Sequence, residues 1–218
     1  MGYNIAIDGP AGAGKSTIAK RVAKELGYIY VDTGAMYRAM AVFFLKKGIR
    51  SEETDQIQKT CKNAVVTIAY EDNVQQVYLN GENITSELRK EEVGKMASKS
   101  SAVKEVREQL LELQRELAEK ENVVMDGRDI GTNILPNADT KIYLTASVET
   151  RAKRRFLELQ EKGEQCVLEE IARDIEERDH RDMTRKIAPL KQAEDAVYID
   201  SSDMTIDEVV DAILKACK

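Results

Sequence analysis

Ile5-Ala-Ile-Asp-Gly-Pro-Ala-Gly-Ala-Gly-Lys-Ser-Thr17 is the stretch whose reading decides the fold. Asn4 to Asp8 reads as a short apolar strand, and Gly9 to Ser16 fits G-x-x-x-x-G-K-S. Ile18, Ala19, Val22, Ala23 and Leu26 then fall on one helical face. Strand, glycine loop and helix in that order are the context in which such a loop cradles the phosphates of a nucleoside triphosphate. The expected ATP-binding set is Gly9, Pro10, Ala11, Gly12, Ala13, Gly14, Lys15, Ser16 and Thr17. The glycines let backbone N–H groups turn inward as an anion nest, and the helix N-terminus adds partial positive charge. Lys15 is expected to face solvent and reach the β- and γ-phosphates, and Ser16 to hold Mg²⁺. A ligand-free Gly/Ala turn is the alternative, and the flanking strand and helix argue against it.

The remaining composition bounds the class. A chain of 218 residues suits one large α/β domain, or one domain carrying an insert. Charged residues make up 33% and the apolar set 42%, a balance that supports a real core. A net charge of −6 offers no overall basic field to attract nucleic acid or a membrane surface, so neither is an expected partner. Cys61, Cys166 and Cys217 lie far apart, without the spacing of a zinc site or a disulfide framework, and read as reduced thiols. The longest apolar run, Ala39 to Leu45, is too short to span a bilayer. The chain enters a strand by about residue 4, so no targeting segment is expected and a cytoplasmic address follows by default.

Gly27 ends the first helix, and Tyr28 to Val31 reads as a second strand. Asp32-Thr-Gly34 turns into a helix over about 35–47. From about residue 63 the texture changes. Val65 to Tyr70, Glu71-Asp-Asn73, Val74 to Leu79 and Asn80-Gly81 read as an antiparallel hairpin with its turn signals. Two polar helices follow, the second over about 103–119 with Val106, Leu110, Leu113 and Leu117 on its inner face. A hairpin does not belong between parallel strands, so 63–102 reads as an insert between core parts 1–62 and 103–218. Strands resume at Val123 to Met125, Thr140 to Thr145 and Ala196 to Ile199. Between them lie a basic helix from Ser147 to Lys162 and a second helix up to about Arg178. Thr205-x-x-Glu208 is a capping box for the last helix. The alternation of strands and helices implies a parallel sheet covered on both faces.

Asp126 ends an apolar strand, where a carboxylate can assist Mg²⁺ directly or through water. An aspartate that merely closes a strand is the other reading. No N-K-x-D guanine-reading motif is present, which counts against a GTPase switch. Arg38, Arg128, Arg178, Arg181 and Arg185 fall at loops or helix ends, more cations than one triphosphate needs. Arginine's planar fork suits phosphate oxygens, so a second phosphorylated substrate would account for them. A solvated face neutralised by Asp179 and Asp182 would account for Arg178 to Arg185 equally well.

Over essentially its full length the chain resembles the bacterial cytidylate kinases. The stretches that carry the resemblance are Ile7 to Thr17, Asp32-Thr-Gly-Ala-Met-Tyr-Arg38, Asp126-Gly-Arg-Asp-Ile-Gly-Thr132, Lys141 to Ser147, Arg178-Asp-x-x-Asp182 and Ala188-Pro-Leu190. The resemblance implies an α/β fold of the P-loop type. Its elements would be a five-stranded parallel sheet with helices on both faces, a small antiparallel and helical insert that binds the nucleoside monophosphate, and a lid at about 151–190. It implies transfer of the γ-phosphoryl group of ATP to CMP or dCMP, with Mg²⁺ and no organic cofactor, in a monomer. Lys15, Arg128, Arg185, Arg181 and Asp126 would carry catalysis, with Ser16 and Asp126 at the metal. Arg38, Arg128 and Arg185 would hold the CMP phosphate and Asp182 the sugar. Thr33, Ser98, Arg107 and Asp129 would line the acceptor pocket, with Asp129, aided by Ser98 and Arg107, reading the base as cytosine. A salt bridge to a neighbouring arginine is the rival role for Asp129. Another small-molecule P-loop kinase, for dephospho-coenzyme A or a sugar acid, and a non-catalytic ATP-dependent regulator are the alternative functions.

Overall fold

The strand and helix on either side of the glycine loop form where the apolar pattern places them. β1 spans Asn4–Asp8, and α1 spans Lys15–Leu26, stopped by Gly27 in the left-handed region at φ 69°. The structure is a computed structural model describing residues 2–72 and 74–217; Asn73, in the expected hairpin turn, lies outside them. The chain continues through β2 (Ile29–Asp32), α2 (Thr33–Lys46), α3 (Thr54–Thr60), β3 (Val66–Glu71), β4 (Val74–Leu79) and β5 (Glu82–Asn83). Then come α4 (Glu91–Ser100), α5 (Lys104–Lys120), β6 (Val123–Gly127), β7 (Thr140–Thr145), α6 (Val148–Glu161), α7 (Leu168–Thr184), β8 (Val197–Asp200) and α8 (Ile206–Ala216). None of these helices is long and apolar enough to cross a membrane.

Two compact units divide the chain, one of Tyr3–Tyr30 with Asn122–Lys218 and one built on Val31–Glu121. The first carries the five-stranded sheet of order β2-β6-β1-β7-β8. β1 pairs in parallel with β6 and β7, and β7 with β8. Register sets Ile7 beside Asp126 and Asp8 beside Gly127, so the strand ends that bear carboxylates lie together. Ile5, Ile7, Val124, Ile142 and Leu144 from the strands bury with Ile18 and Val22 of α1 and Val209, Val210 and Ile213 of α8. Full burial of such side chains is worth roughly 1.5–3 kcal/mol each, which makes this layer the rigid base of the loop above it. The capping box of α8 is present, Thr205 Oγ1 accepting from the Glu208 N–H while Glu208 Oε2 accepts from the Thr205 N–H.

The unit on Val31–Glu121 holds the three-stranded antiparallel sheet β3-β4-β5. Val66 faces Leu79 in the register and Ile68 faces Val77, so alternate side chains point to the inner face. Asn80 and Gly81 both have positive φ, 50° and 85°, the pair that a tight turn between β4 and β5 requires. Here α2 packs on α4, α5, β3 and β4. The inner stripe of α5 differs from its reading in sequence: Val106, Leu110, Gln114 and Ala118 are buried, while Leu113 and Leu117 are half-buried at its flank. The stripe follows the i, i+4 rows of the helix, and the polar Gln114 at its centre hid it.

α7 also runs further than expected, to Thr184 instead of about Arg178. The charged run does not break it, because Asp179 and Asp182 are buried among partners and do not compete for water.

Candidate active site

The glycine loop is shaped by one close backbone approach and by left-handed turns that favour glycine. Gly9 has φ 154°, and a Cβ there would stand 1.9 Å from the Leu144 carbonyl oxygen of β7. Gly12 and Gly14 have φ 75° and 82°, positions at which an L-residue is strained. The loop thus curls back over the carboxyl ends of β1 and β7 before α1 begins.

Lys15 does not face solvent as expected. It is 5% exposed, and its Nζ donates to the Pro10 carbonyl of its own loop at 2.6 Å. Burial holds its pKa well below the ordinary lysine value, the nearby Arg128 charge adds to that, and Asp126 opposes it. The reason is geometric: a loop that wraps inward to meet an anion also wraps around its own lysine.

Ser16 and Asp126, expected to share a metal, are brought together. Ser16 Oγ donates to Asp126 Oδ2 at 3.0 Å, and Tyr30 Oη donates to Asp126 Oδ1 at 2.8 Å. Two protein oxygens beside a phosphate nest fit Mg²⁺, which takes one or two protein ligands and completes its shell with phosphates and water.

A second cluster forms around the buried Asp182. Its Oδ2 accepts from Arg128 Nε at 3.0 Å, and its Oδ1 lies 3.7 Å from Arg185 Nη1. Burial works against the Asp182 charge, but Arg128, Arg178 and Arg185 together hold its pKa below the ordinary value. Arg128 is likewise desolvated, and Asp182 foremost keeps it more firmly protonated than a free guanidinium. Arg185 is aimed from three sides. Its Nη2 donates to Asp129 Oδ1 at 3.1 Å, and its Nε donates to the Ala188 carbonyl at 2.7 Å. Ala188 sits at φ 45°, a left-handed conformation that the Ala188-Pro189-Leu190 turn sustains through the Leu190 N–H bond to the Asp182 carbonyl.

Arg181 is not brought to this cluster. It is exposed and lies 3.7 Å from Glu177. At 3.6 residues per turn, Ile175, Asp179 and Asp182 define the inward direction of α7, with Arg178 about 65° from it and Arg181 about 125°. Arg178 is the one whose charge bears on Lys15 and on Asp182.

Asp129 is buried, with one oxygen on Arg185 and the other accepting from Asn133 Nδ2 at 3.0 Å. The residues after it form a π-helical turn, Ile130–Ile134, anchored by a side chain that sequence reasoning passed over. Asp8 accepts from the N–H groups of both Ile130 and Gly131 at 2.8 Å. A Cβ on Gly131 would stand 3.2 Å from the Lys141 stem and 3.5 Å from Asp8 Oδ2. Burial raises the Asp8 pKa from 3.8 to about 6, with the Asp129 charge adding and the two backbone N–H donors opposing. Its position at the end of β1, directly before the loop, was the available signal.

The other expected residues lie in the unit built on Val31–Glu121. Asp32 caps α2 by accepting from the Ala35 N–H at 2.9 Å, which puts Thr33, buried, at the first turn. Gln75 of β4 holds the Asp32 backbone at two points, accepting from its N–H and donating to its carbonyl. The Arg38 guanidinium folds back over this turn, its Nη1 at 3.4 Å from where a Gly34 Cβ would be. Arg107 is buried, its guanidinium 5.3 Å from the centre of the Tyr37 ring and donating to the Ser101 carbonyl. The Ser98 hydroxyl is buried without a hydrogen-bond partner among the described residues, a polar atom available to a ligand. The approach of Tyr37 to Arg107 joins residues 70 positions apart and is invisible in sequence.

A family model described as cytidylate kinase matches residues 5–218. Similar proteins include the cytidylate kinase of Caldicellulosiruptor saccharolyticus, 51% identical over 212 residues, covering 97% of this chain and 94% of the relative. The cytidylate kinase of Shouchella clausii is 48% identical over 217 residues, covering 100% of this chain and 96% of the relative. A solved gluconokinase from Sinorhizobium meliloti aligns with a TM-score of 0.51 at 14% identity, over 99% of this chain and 91% of that one, a likeness of fold.

Proposed function

This chain belongs to the cytidylate kinase family, and from that premise we propose that it transfers the γ-phosphoryl group of ATP to CMP or dCMP. The observation that carries the reading is the presence of two separate cationic arrangements in one unit. One is the glycine loop with Lys15, suited to a triphosphate; the other is Arg128, Arg178 and Arg185 around Asp182. A single nucleotide does not need both.

The donor phosphates lie in the backbone nest of Gly9 to Thr17, with Lys15 exchanging the Pro10 carbonyl for a phosphate oxygen. Ser16 and Asp126 would hold Mg²⁺, which would supply charge neutralisation for phosphoryl transfer. Arg128, Arg178 and Arg185 take the acceptor phosphate, and Asp182 and Asp129 keep the guanidinium planes aimed. Within the unit built on Val31–Glu121, Ser98 and Arg107 carry polar atoms suited to the edge of a base.

No dedicated general base is needed. The acceptor phosphate is already an anionic nucleophile near neutral pH, so the residues act by alignment and by stabilising charge. The test is an acceptor screen with Mg-ATP: ADP should form with CMP and dCMP well above UMP, AMP and GMP. Equal turnover across the panel, or turnover only with a non-nucleotide acceptor, would remove the reading.

A further inference from the structure

α6 and α7 meet the glycine loop at one buried point. The Ala11 N–H donates to Asp179 Oδ1 at 2.9 Å, and the Ala11 carbonyl accepts from Arg151 Nη1 at 2.7 Å. The same Nη1 donates to Asp179 Oδ2 at 2.5 Å, and Arg151 Nε donates to the Ala146 carbonyl at 2.8 Å, beyond the end of β7. Both side chains are buried. A Cβ on Gly12 would stand 3.3 Å from the Arg151 Cβ, so the two backbones approach about as closely as they can. The ion pair therefore grips one residue of the loop through both of its backbone polar groups, the N–H and the carbonyl of Ala11. Its grip is on Ala11, and Lys15 and Ser16 are left to the ligands described above.

Asp179 stands one helical turn before Asp182 on α7, about 4.5 Å along the axis. Asp179 holds the loop that carries the donor phosphates; Asp182 holds Arg128 and faces Arg185, which serve the acceptor phosphate. Two carboxylates of one rigid turn thus bind the two halves of the reaction. We propose that Asp179, fixed by Arg151, is a positioning residue that sets the register between the ATP loop and the acceptor arginines. The proposal rests on the acceptor role given to Arg128 and Arg185. In-line transfer requires reacting atoms within about 3–3.5 Å and aligned, and displacement by about 1 Å can cost 10²-fold in rate. A pair that only glued α6 to α7 would have no such consequence for the reaction.

Removing one partner of a buried ion pair strands the other charge, so the informative variant replaces both. Buried pairs exchanged for apolar residues of similar volume often keep their stability. Arg151→Met combined with Asp179→Leu is compared with Asp179→Asn, which keeps an acceptor for the Ala11 N–H but loses the charge facing Arg151. Each is assayed for kcat at saturating substrates, for separate Kd values of a non-hydrolysable ATP analogue and of CMP, and for Tm. The expected result is a fall in kcat of tenfold or more in the apolar pair and threefold or more in Asp179→Asn. Both Kd values should stay within about threefold, and the proteins should remain folded. The CMP Kd of Arg128→Ala and Arg185→Ala reports separately on the acceptor assignment. A kcat within twofold of the parent in either folded variant overturns the proposal. So does a loss confined to ATP affinity with kcat unchanged, because the pair would then support the loop alone.

Discussion

Lys15 Nζ and the Pro10 carbonyl are joined at 2.6 Å inside the same loop, so the cation that should meet phosphate is held by the backbone that should surround it. A buried ammonium with one carbonyl partner is poorly solvated, which is why its pKa is depressed. Ligand phosphate offers it a far better partner.

Lys15→Ala should therefore lower turnover by about 10²–10³-fold or more, the scale of losing one preorganised charge-stabilising donor. Thermal stability should hold or rise, since a desolvated charge disappears and no apolar contact is lost. Steady-state kinetics and a melting curve check both halves. Retained turnover would remove the loop from catalysis.

Arg128→Ala and Arg185→Ala should each weaken CMP binding by about 10–100-fold, the equivalent of a charge-assisted hydrogen bond worth roughly 1.5–3 kcal/mol. Affinity for an ATP analogue should change much less. Isothermal titration with each ligand separately decides it; a collapse of ATP affinity with CMP affinity intact would move these arginines to the donor side.

Arg178→Ala should cost far more activity than Arg181→Ala. Arg178 acts on Lys15 and Asp182, whereas Arg181 points outward beside Glu177. Equal losses of kcat/KM in the two variants would contradict the orientation of α7.

Asp129→Asn should reduce use of CMP and of UMP by the same factor. Its carboxylate is already engaged by Arg185 and Asn133, so the substitution loosens an arginine. A narrowing of the CMP-over-UMP ratio of kcat/KM would instead assign base reading to Asp129, because an amide can donate where a carboxylate only accepts.

Asp8 gives folding a pH signature. Its folded pKa, about 6, exceeds the ordinary 3.8, so the native state binds its proton more tightly than the unfolded chain. That contribution is complete below pH 3.8 and is lost as pH rises through about 6, amounting to about 3 kcal/mol. Denaturant unfolding at several pH values between 4 and 7 should show this decline in the parent and not in Asp8→Asn. Parallel pH profiles for the two proteins would refute it.

Much of this architecture is written in short segments of the chain. The strand, loop and helix from Asn4 to Leu26, the Thr205–Glu208 cap and the Asn80–Gly81 turn form as read, because each depends on neighbours a few residues away. The proposal that Lys15, Ser16, Asp126, Arg128 and Arg185 are directed at phosphate starts from the sequence for the same reason: the motifs that suggest it are local. What they touch is not. Asp8 finds its two N–H donors 122 and 123 residues away, and Ala11 meets Asp179 across 168. Gln114 enters a core, Asp179 and Asp182 turn inward and Arg181 turns outward through the way whole helices pack on their neighbours. A local pattern sets the energy of one helix or one turn. Which side of that helix meets a neighbour depends on the entire packed unit, so the direction of a charged side chain is decided only when the distant chain has closed around it.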